Sequence, residues 1–203
     1  MKVCYFVIVL YGELNIIFYG GSVVIYLYHY FERKVGPFVS LSDLQVEDAM
    51  IIQAQLDIKN KTFHAGKRSA KYYERRKYLE QLVRTMFIEK GGKPIRETPH
   101  YMVIGECPWL ATWFEDSDYI KISIQEFDLT TVSFTYGDTF PTFSPHVTDE
   151  LEYRQQVYTY NEILNIIDKY GMPQHYWNEP VYAQPAYVEA QIWSDIPIKQ
   201  YYK

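Results

Sequence analysis

The alternation of apolar and polar positions along the chain predicts strands at both ends of the sequence. Residues 25–31 (IYLYHYF) are rich in β-forming side chains, and residues 119–125 alternate isoleucine with polar residues. Residues 187–193 place one set of side chains on each face: Val188, Ala190 and Ile192 on the first, Tyr187, Glu189, Gln191 and Trp193 on the second. Further strands are predicted at residues 100–105, 132–136 and 153–158.

Three helices are predicted from apolar residues at helical spacing. They are expected over about residues 42–58, 68–90 and 159–170. The first would open with a capping box of Ser42 and Gln45. The third is the best marked, since Thr159 and Glu162 match a T-x-x-E capping box and Gly171 follows the last turn.

This order of elements predicts an α+β fold. We expect a mainly antiparallel or mixed sheet, with an N-terminal strand followed by two helices and a third helix near the C-terminus. A chain of 203 residues suits one domain, which we place at residues 24–203. Residues 1–23 are predicted to be a leader that is not part of this fold.

The apolar leader has three interpretations. Glu13, Asn15 and the pair Gly20-Gly21 interrupt it, which disfavours a membrane span. A signal peptide is a second option, but the bulky residues 16–19 stand where a cleavage site needs small ones. The third, which we favour, is that translation starts at Val24, because Gly20-Gly21 can be encoded by a purine-rich run typical of a bacterial ribosome-binding site.

Charge and cysteine content narrow the function classes. The net charge of −5 disfavours general nucleic-acid binding, which needs a clustered basic excess. Cys4 and Cys107 are the two cysteines, too few and too far apart for a disulfide framework, so we expect a cytoplasmic protein without membrane association. A small molecule or another protein remains as partner.

Aromatic residues make up 18% of the chain, with 21 tyrosines. Tyrosine suits half-buried sheet faces, and it also suits a stacking surface for a planar ligand. A non-catalytic interaction or small-ligand-binding module would use the loop at residues 139–145 together with Trp109 and Trp113. For a ligand site we name Tyr30, Trp109, Trp113 and Tyr187.

Established catalytic motifs are missing from the sequence. The five histidines show neither H-x-x-x-H nor H-E-x-x-H spacing, so no metal site is predicted. Cys107 precedes a short helix and could be activated there, although a packed thiol is the simpler interpretation. Glu189 is the strongest catalytic candidate, because a carboxylate in the middle of a central strand is costly unless it is paired or used. If the strand lies at an edge, Glu189 would simply face water.

Two resemblances are present. The runs LYHYF, HYMVIGECPWL, SFTYGD and VEAQIW resemble a group of uncharacterised bacterial proteins. The order of elements is similar, more distantly, to ADP-ribosyltransferase-like proteins, in which an early strand carries a tyrosine-histidine pattern and a late strand carries a glutamate. The matching positions here are Tyr28-His29-Tyr30 and Glu189, followed by Asp195-Ile196-Pro197.

The second resemblance implies a cleft that binds NAD. His29 would hold a ribose hydroxyl or the amide, a tyrosine would stack on nicotinamide, and Glu189 would stabilise an oxocarbenium-like transition state. Tyr136, with Ser133 and Thr135, is the nearest match to the middle motif. The chain departs from the family pattern at residues 189–191, where the carboxylate comes first and the glutamine last. The implied catalytic residues are therefore His29, Tyr136 and Glu189.

Overall fold

The structure is a computed structural model that describes residues 17–19, 22–59, 71–176 and 184–202. The strands are β1 (Ile17–Tyr19), β2 (Ser22–Val24), β3 (Tyr26–Glu32), β4 (His100–Ile104), β5 (Ser117–Ser123), β6 (Val132–Tyr136) and β7 (Val188–Ile192). The helices are α1 (Val46–Lys59), α2 (Tyr72–Glu89), α3 (Pro108–Ala111), α4 (Thr139–Thr142) and α5 (Tyr160–Tyr170). The predicted α+β class is confirmed, including two helices after the N-terminal strand and a third near the C-terminus.

Five strands form one antiparallel sheet in the order β5-β3-β4-β7-β6. β7 therefore lies in the interior of the sheet, between β4 and β6, and all five of its residues are buried. β1 and β2 pair with each other in a separate two-stranded sheet. Residues 1–16 lie outside the described residues, and the placement of the domain start at residue 24 stays a prediction.

One face of the sheet, which we call the apolar face, carries the main core. α5 packs there through Ile163 and Ile167, because its apolar residues recur every three to four positions. The sheet residues of this core are Leu27, Met102, Ile104, Ile122, Val132, Phe134, Tyr136, Val188, Ala190 and Ile192. α5 begins at the predicted capping box, since Glu162 accepts hydrogen bonds from the backbone and hydroxyl of Thr159.

The opposite face, which we call the polar face, has a different character. The strand register places Ser133, Thr135, Glu189 and Gln191 together on it. α2 covers part of this face by packing Leu79, Val83 and Phe87 around the buried Trp193. Because polar side chains here lie under a helix, nearly every one of them needs a hydrogen-bond partner inside the protein.

Three local predictions are wrong. The predicted box at Ser42 and Gln45 is replaced by a 3₁₀ turn at Leu41–Asp43 capped by Ser40, and α1 starts only at Val46. Residues 153–158 are not a strand, because only Tyr158 pairs, through a single bridge to β6. The loop predicted at residues 139–145 begins with the helical turn α4, and Phe143 is buried against α2.

Among the described residues, no helix combines the length and the apolarity that crossing a membrane requires.

Candidate functional site

Glu189 lies at the centre of a buried polar cluster on the polar face. Its side chain is 7% exposed, and its carboxylate oxygen Oε1 accepts hydrogen bonds from the Thr139 hydroxyl and, at 3.0 Å, from the Gln191 amide. Thr139 is the first residue of α4, which follows β6 directly, so the strand–turn–helix sequence places this hydroxyl over the sheet. The alternative of an exposed edge-strand carboxylate does not apply, since β7 is an interior strand.

A second carboxyl group stands close to Glu189. Asp138 caps α4 by accepting the backbone N–H of Phe140 at 2.7 Å, and it accepts the Tyr187 hydroxyl at 2.9 Å. Burial raises the pKa of Glu189 to about 8, and the charge of Asp138 adds to this effect. Hydrogen bonds from Thr139 and Gln191 act in the opposite direction. The carboxyl group of Glu189 is therefore mostly protonated at neutral pH.

Cationic and phenolic groups border the cluster on the side of α2. Arg76 pairs with Glu80 at 2.9 Å, and its guanidinium stacks over the ring of Tyr101. The Tyr101 hydroxyl donates to Glu80 Oε1 at 3.1 Å. Burial raises the pKa of Tyr101 well above its usual range, and the charges of Glu80 and Glu189 contribute, whereas Arg76 opposes. Tyr101 thus bonds Glu80 and lies within electrostatic reach of Glu189.

Aromatic rings adjoin the carboxyl cluster on the side of α3. Tyr187 is 4% exposed and packs with Val103, Cys107 and Ala186. Trp109 lies 6.3 Å from the Tyr187 ring, centroid to centroid, and Trp113 meets Trp109 edge-on at 5.3 Å. Tyr30 joins the same group, because its hydroxyl accepts the backbone N–H of Cys107 at 2.9 Å. We call Tyr28, Tyr30, Trp109 and Tyr187 the aromatic wall.

The four residues predicted to bind a ligand therefore come together. Tyr30, Trp109, Trp113 and Tyr187 all belong to or contact the aromatic wall. The wall and the carboxyl cluster share one residue, Tyr187, which contacts Trp109 with its ring and Asp138 with its hydroxyl. Three of the four wall residues, Tyr30, Trp109 and Tyr187, are among those predicted from the sequence, and their role in ligand binding stays a prediction.

The three residues predicted to be catalytic do not come together. Tyr28 pairs with Val103, which pairs with Glu189, so His29 points to the apolar face. Tyr136 pairs with Val188 and lies on the apolar face as well, where its hydroxyl donates to the Tyr170 and Gly171 carbonyls. The sheet separates both residues from Glu189.

His29 has a structural role on the apolar face. Its Nε2 accepts the backbone N–H of Phe38 at 2.9 Å, which leaves Nδ1 to donate to the Tyr101 carbonyl at 2.8 Å. Burial lowers the pKa of His29 to about 4, so the ring is neutral. Both nitrogens are occupied by the backbone.

Asp195 and Cys107 also serve the fold. The Asp195 carboxylate oxygen Oδ1 is hydrogen-bonded to Arg96, His100 and Tyr202. These bonds hold the C-terminal segment against the start of β4. Burial raises the pKa of the Cys107 thiol to about 11, so it is a packed thiol and not an activated nucleophile. Within the described ranges, no group of three or more His, Cys, Asp and Glu side chains is arranged to hold a metal ion.

Several members of the cluster are absent from the sequence-based candidates. Asp138, Thr139 and Gln191 bind or border Glu189, and Arg76 and Tyr101 line its far side. One signal was available, since β6 carries Ser133 and Thr135 on alternate positions of an otherwise apolar strand. When every second residue of a buried strand is polar, the residues beside them on the neighbouring strand are expected to be polar too, because they share one face of the sheet.

Scans against protein-family models, curated proteins and solved structures find no match for this chain.

Proposed function

We propose that this chain binds a small planar ligand on the polar face of the sheet, with Glu189 as the acid–base group that acts on it. The observation that carries the proposal is the position of Tyr187. Tyr187 lies two residues before Glu189, on the same face of the sheet. Its ring belongs to the aromatic wall, and its hydroxyl donates to Asp138. A flat apolar surface and a titrating carboxyl group are therefore adjacent.

The state of Glu189 suits acid–base chemistry. A general acid or base works best when its pKa is near the working pH, and burial brings the pKa of Glu189 to about 8. Nearby Asp138 provides a second carboxyl group in a different environment.

The aromatic wall suits a planar ligand. Tyr28, Tyr30 and Trp109 are only half-buried and present ring surface, whereas Tyr187 forms the buried floor. Aromatic faces offer large contact areas at fixed geometry, and binding sites typically combine such walls with a few polar groups that set orientation.

A thermal-shift screen tests the binding step. The panel is NAD, nicotinamide, adenine nucleotides and flavin mononucleotide, measured on the wild type, Tyr187→Phe and Tyr136→Phe. We expect at least one compound to raise the melting temperature. Tyr187→Phe should weaken the binding of that compound about tenfold, because the lost hydrogen bond to Asp138 holds the Tyr187 ring beside the carboxyl cluster. Tyr136→Phe is the matched control, because it also removes a buried hydroxyl but on the apolar face. Equal loss in both variants, or no stabilising compound, would refute the proposal.

NAD-dependent ADP-ribosyl transfer is the second candidate. It is favoured by the placement of Glu189 in the middle of an interior strand, with an aromatic ring two residues earlier on the same face. In this version Glu189 stabilises a cationic transition state, and His29 and Tyr136 stabilise the fold only. Incubation with NAD should release nicotinamide, and Glu189→Gln should abolish the release. NAD that binds and is not consumed would favour the non-catalytic ligand-binding module.

A further inference from the structure

A chain of hydrogen bonds runs along the polar face and ends at Glu189. It starts at Trp193, whose indole N–H lies 2.8 Å from the Ser133 hydroxyl oxygen; both side chains are fully buried. An indole nitrogen can only donate. Ser133 must therefore accept at its oxygen, and its own proton is directed to Gln191 Oε1 at 2.8 Å.

This donor fixes the orientation of the Gln191 amide. Since Oε1 accepts from Ser133, Nε2 faces Thr135 at 3.1 Å and Glu189 Oε1 at 3.0 Å. Thr135 cannot reverse the direction, because its hydroxyl donates to the Gly137 carbonyl at 2.8 Å and leaves only its oxygen for Gln191. Ser133 on one side of the Gln191 amide and Thr135 on the other thus fix which amide atom donates and which accepts.

Glu189 Oε1 receives a second donor from α4. The Thr139 hydroxyl donates to the same oxygen, and Thr139 in turn lies 3.4 Å from the Gln191 nitrogen. Because two donors point at Oε1, this oxygen is favoured as the carbonyl oxygen of the protonated carboxyl group. A proton on Oε1 would occupy the space in which these two hydrogen bonds form.

We propose that Trp193, Ser133 and Gln191 form a directional hydrogen-bond chain that positions Glu189, with Oε1 as acceptor only and the carboxyl proton on Oε2. This inference rests on the proposed function and deepens it, because Oε2 becomes the atom that meets the ligand. Because Oε2–H donates a hydrogen bond, the ligand needs an acceptor at the edge of its ring, such as a carbonyl oxygen or a ring nitrogen. Gln191 is then a positioning residue.

The other ionisable groups around Glu189 are compatible with this arrangement. Tyr187 and Tyr101 donate their hydroxyl protons elsewhere, to Asp138 and to Glu80. The charge of Asp138 raises the pKa of Glu189, and the charge of Arg76 on α2 lowers it. These effects change the proton affinity of the whole carboxyl group, whereas the hydrogen-bond chain selects one oxygen.

Carbon-13 NMR of protein labelled at the glutamate carboxyl carbon tests the chain, with Glu189→Gln used to assign the resonance. Trp193→Phe removes the starting donor without touching Glu189, so the Gln191 amide can turn over and present its oxygen. We expect the pKa of Glu189 to rise by about half a unit or more, since a donor to the ionised form is lost. Ser133→Ala should act in the same direction.

The control is Phe134→Leu, which removes core volume on the apolar face and leaves the chain intact. It should destabilise the protein and leave the pKa of Glu189 unchanged. An unchanged pKa in both Trp193→Phe and Ser133→Ala would overturn the inference. The measurement needs no ligand, so its outcome is separate from that of the ligand screen.

Proton NMR tests which oxygen carries the proton. The Glu189 carboxyl proton is assigned by its loss in Glu189→Gln, and a proton on Oε2 should show no strong NOE to the side chain of Thr139, whose hydroxyl donates to Oε1. A strong NOE between the carboxyl proton and the Thr139 side chain would overturn the assignment of the proton to Oε2.

Discussion

His29 and Glu189 lie on opposite faces of the five-stranded sheet, two strands apart. His29 is bound by the backbone of Phe38 and Tyr101, whereas Glu189 is bound by the side chains of Thr139 and Gln191. The first side chain is therefore held as part of the fold, and the second lies in a buried cluster of polar side chains. Both titrate at unusual pH, with opposite consequences for stability.

Replacement of Glu189 by Gln should flatten the pH dependence of stability. The folded protein holds the Glu189 proton up to about pH 8, whereas the unfolded chain releases it near pH 4.5. Folding therefore binds a proton in this window, and the free energy of unfolding falls as the pH rises through it, by at most about 1.4 kcal/mol per pH unit. Urea denaturation between pH 5 and 8 should show this fall in the wild type and a smaller one in Glu189→Gln. Parallel curves would contradict it.

His29→Leu should destabilise the protein by about 1–3 kcal/mol, because it leaves the Phe38 N–H and the Tyr101 carbonyl without their partner. It should also remove one source of acid sensitivity. The folded-state pKa of His29 is lowered to about 4 from an ordinary value of 6.5, so the unfolded state binds the extra proton between these values. Stability then falls as the pH drops from 6.5 to 4. Difference curves of wild type minus variant should show that slope; a constant difference would contradict it.

Breaking the buried ion pair on α2 should be costly. Arg76 also bonds Ser42 and Tyr72, and Glu80 is 2% exposed. Arg76→Met should destabilise by about 3–5 kcal/mol, since it leaves Glu80 buried without its cation. Lys169→Met is the control, because its pair with Glu152 is exposed, and we expect no measurable change in chemical denaturation. Similar losses in both variants would argue that Arg76 acts through general packing alone.

Gly171→Ala should destabilise more than Gly91→Ala. Both glycines follow a helix with positive φ, of 79° and 85°, where an L side chain is strained by about 1 kcal/mol. A Cβ at Gly171 would in addition meet the Tyr176 ring, whereas one at Gly91 would meet nothing within 4 Å. Thermal melts of the two variants should therefore separate the steric contribution from the backbone contribution. Equal melting temperatures would show that Tyr176 moves aside freely.

The sequence predicts what is local. α5 is recovered with its boundaries because Thr159, Glu162 and Gly171 act on neighbouring backbone groups. The turn at Leu41–Asp43 is missed because Ser42 is buried against Arg76 and Glu80, contacts that lie more than 30 residues away. A capping pattern cannot report such contacts, since tertiary interactions override local preference.

The site is recovered in part for a related reason. The pattern of β7 correctly groups Tyr187 and Glu189 on one face, because alternation along a strand is a local property. The choice of His29 as their partner fails because it needs the register between strands. A hint was present in β3, where Leu27, His29 and Phe31 alternate with three tyrosines, which assigns the histidine to the apolar side.

The interior position of β7 also constrains the order of folding. β7 is the last of the five strands to be synthesised, and in the sheet it lies between β4 and β6. Before it emerges from the ribosome, the β5-β3-β4 group and β6 lack the strand that pairs with both, and each exposes a pairing edge. We therefore expect chaperone binding and misassembly to be concentrated in this interval of synthesis, because exposed edges in partly made chains promote aggregation.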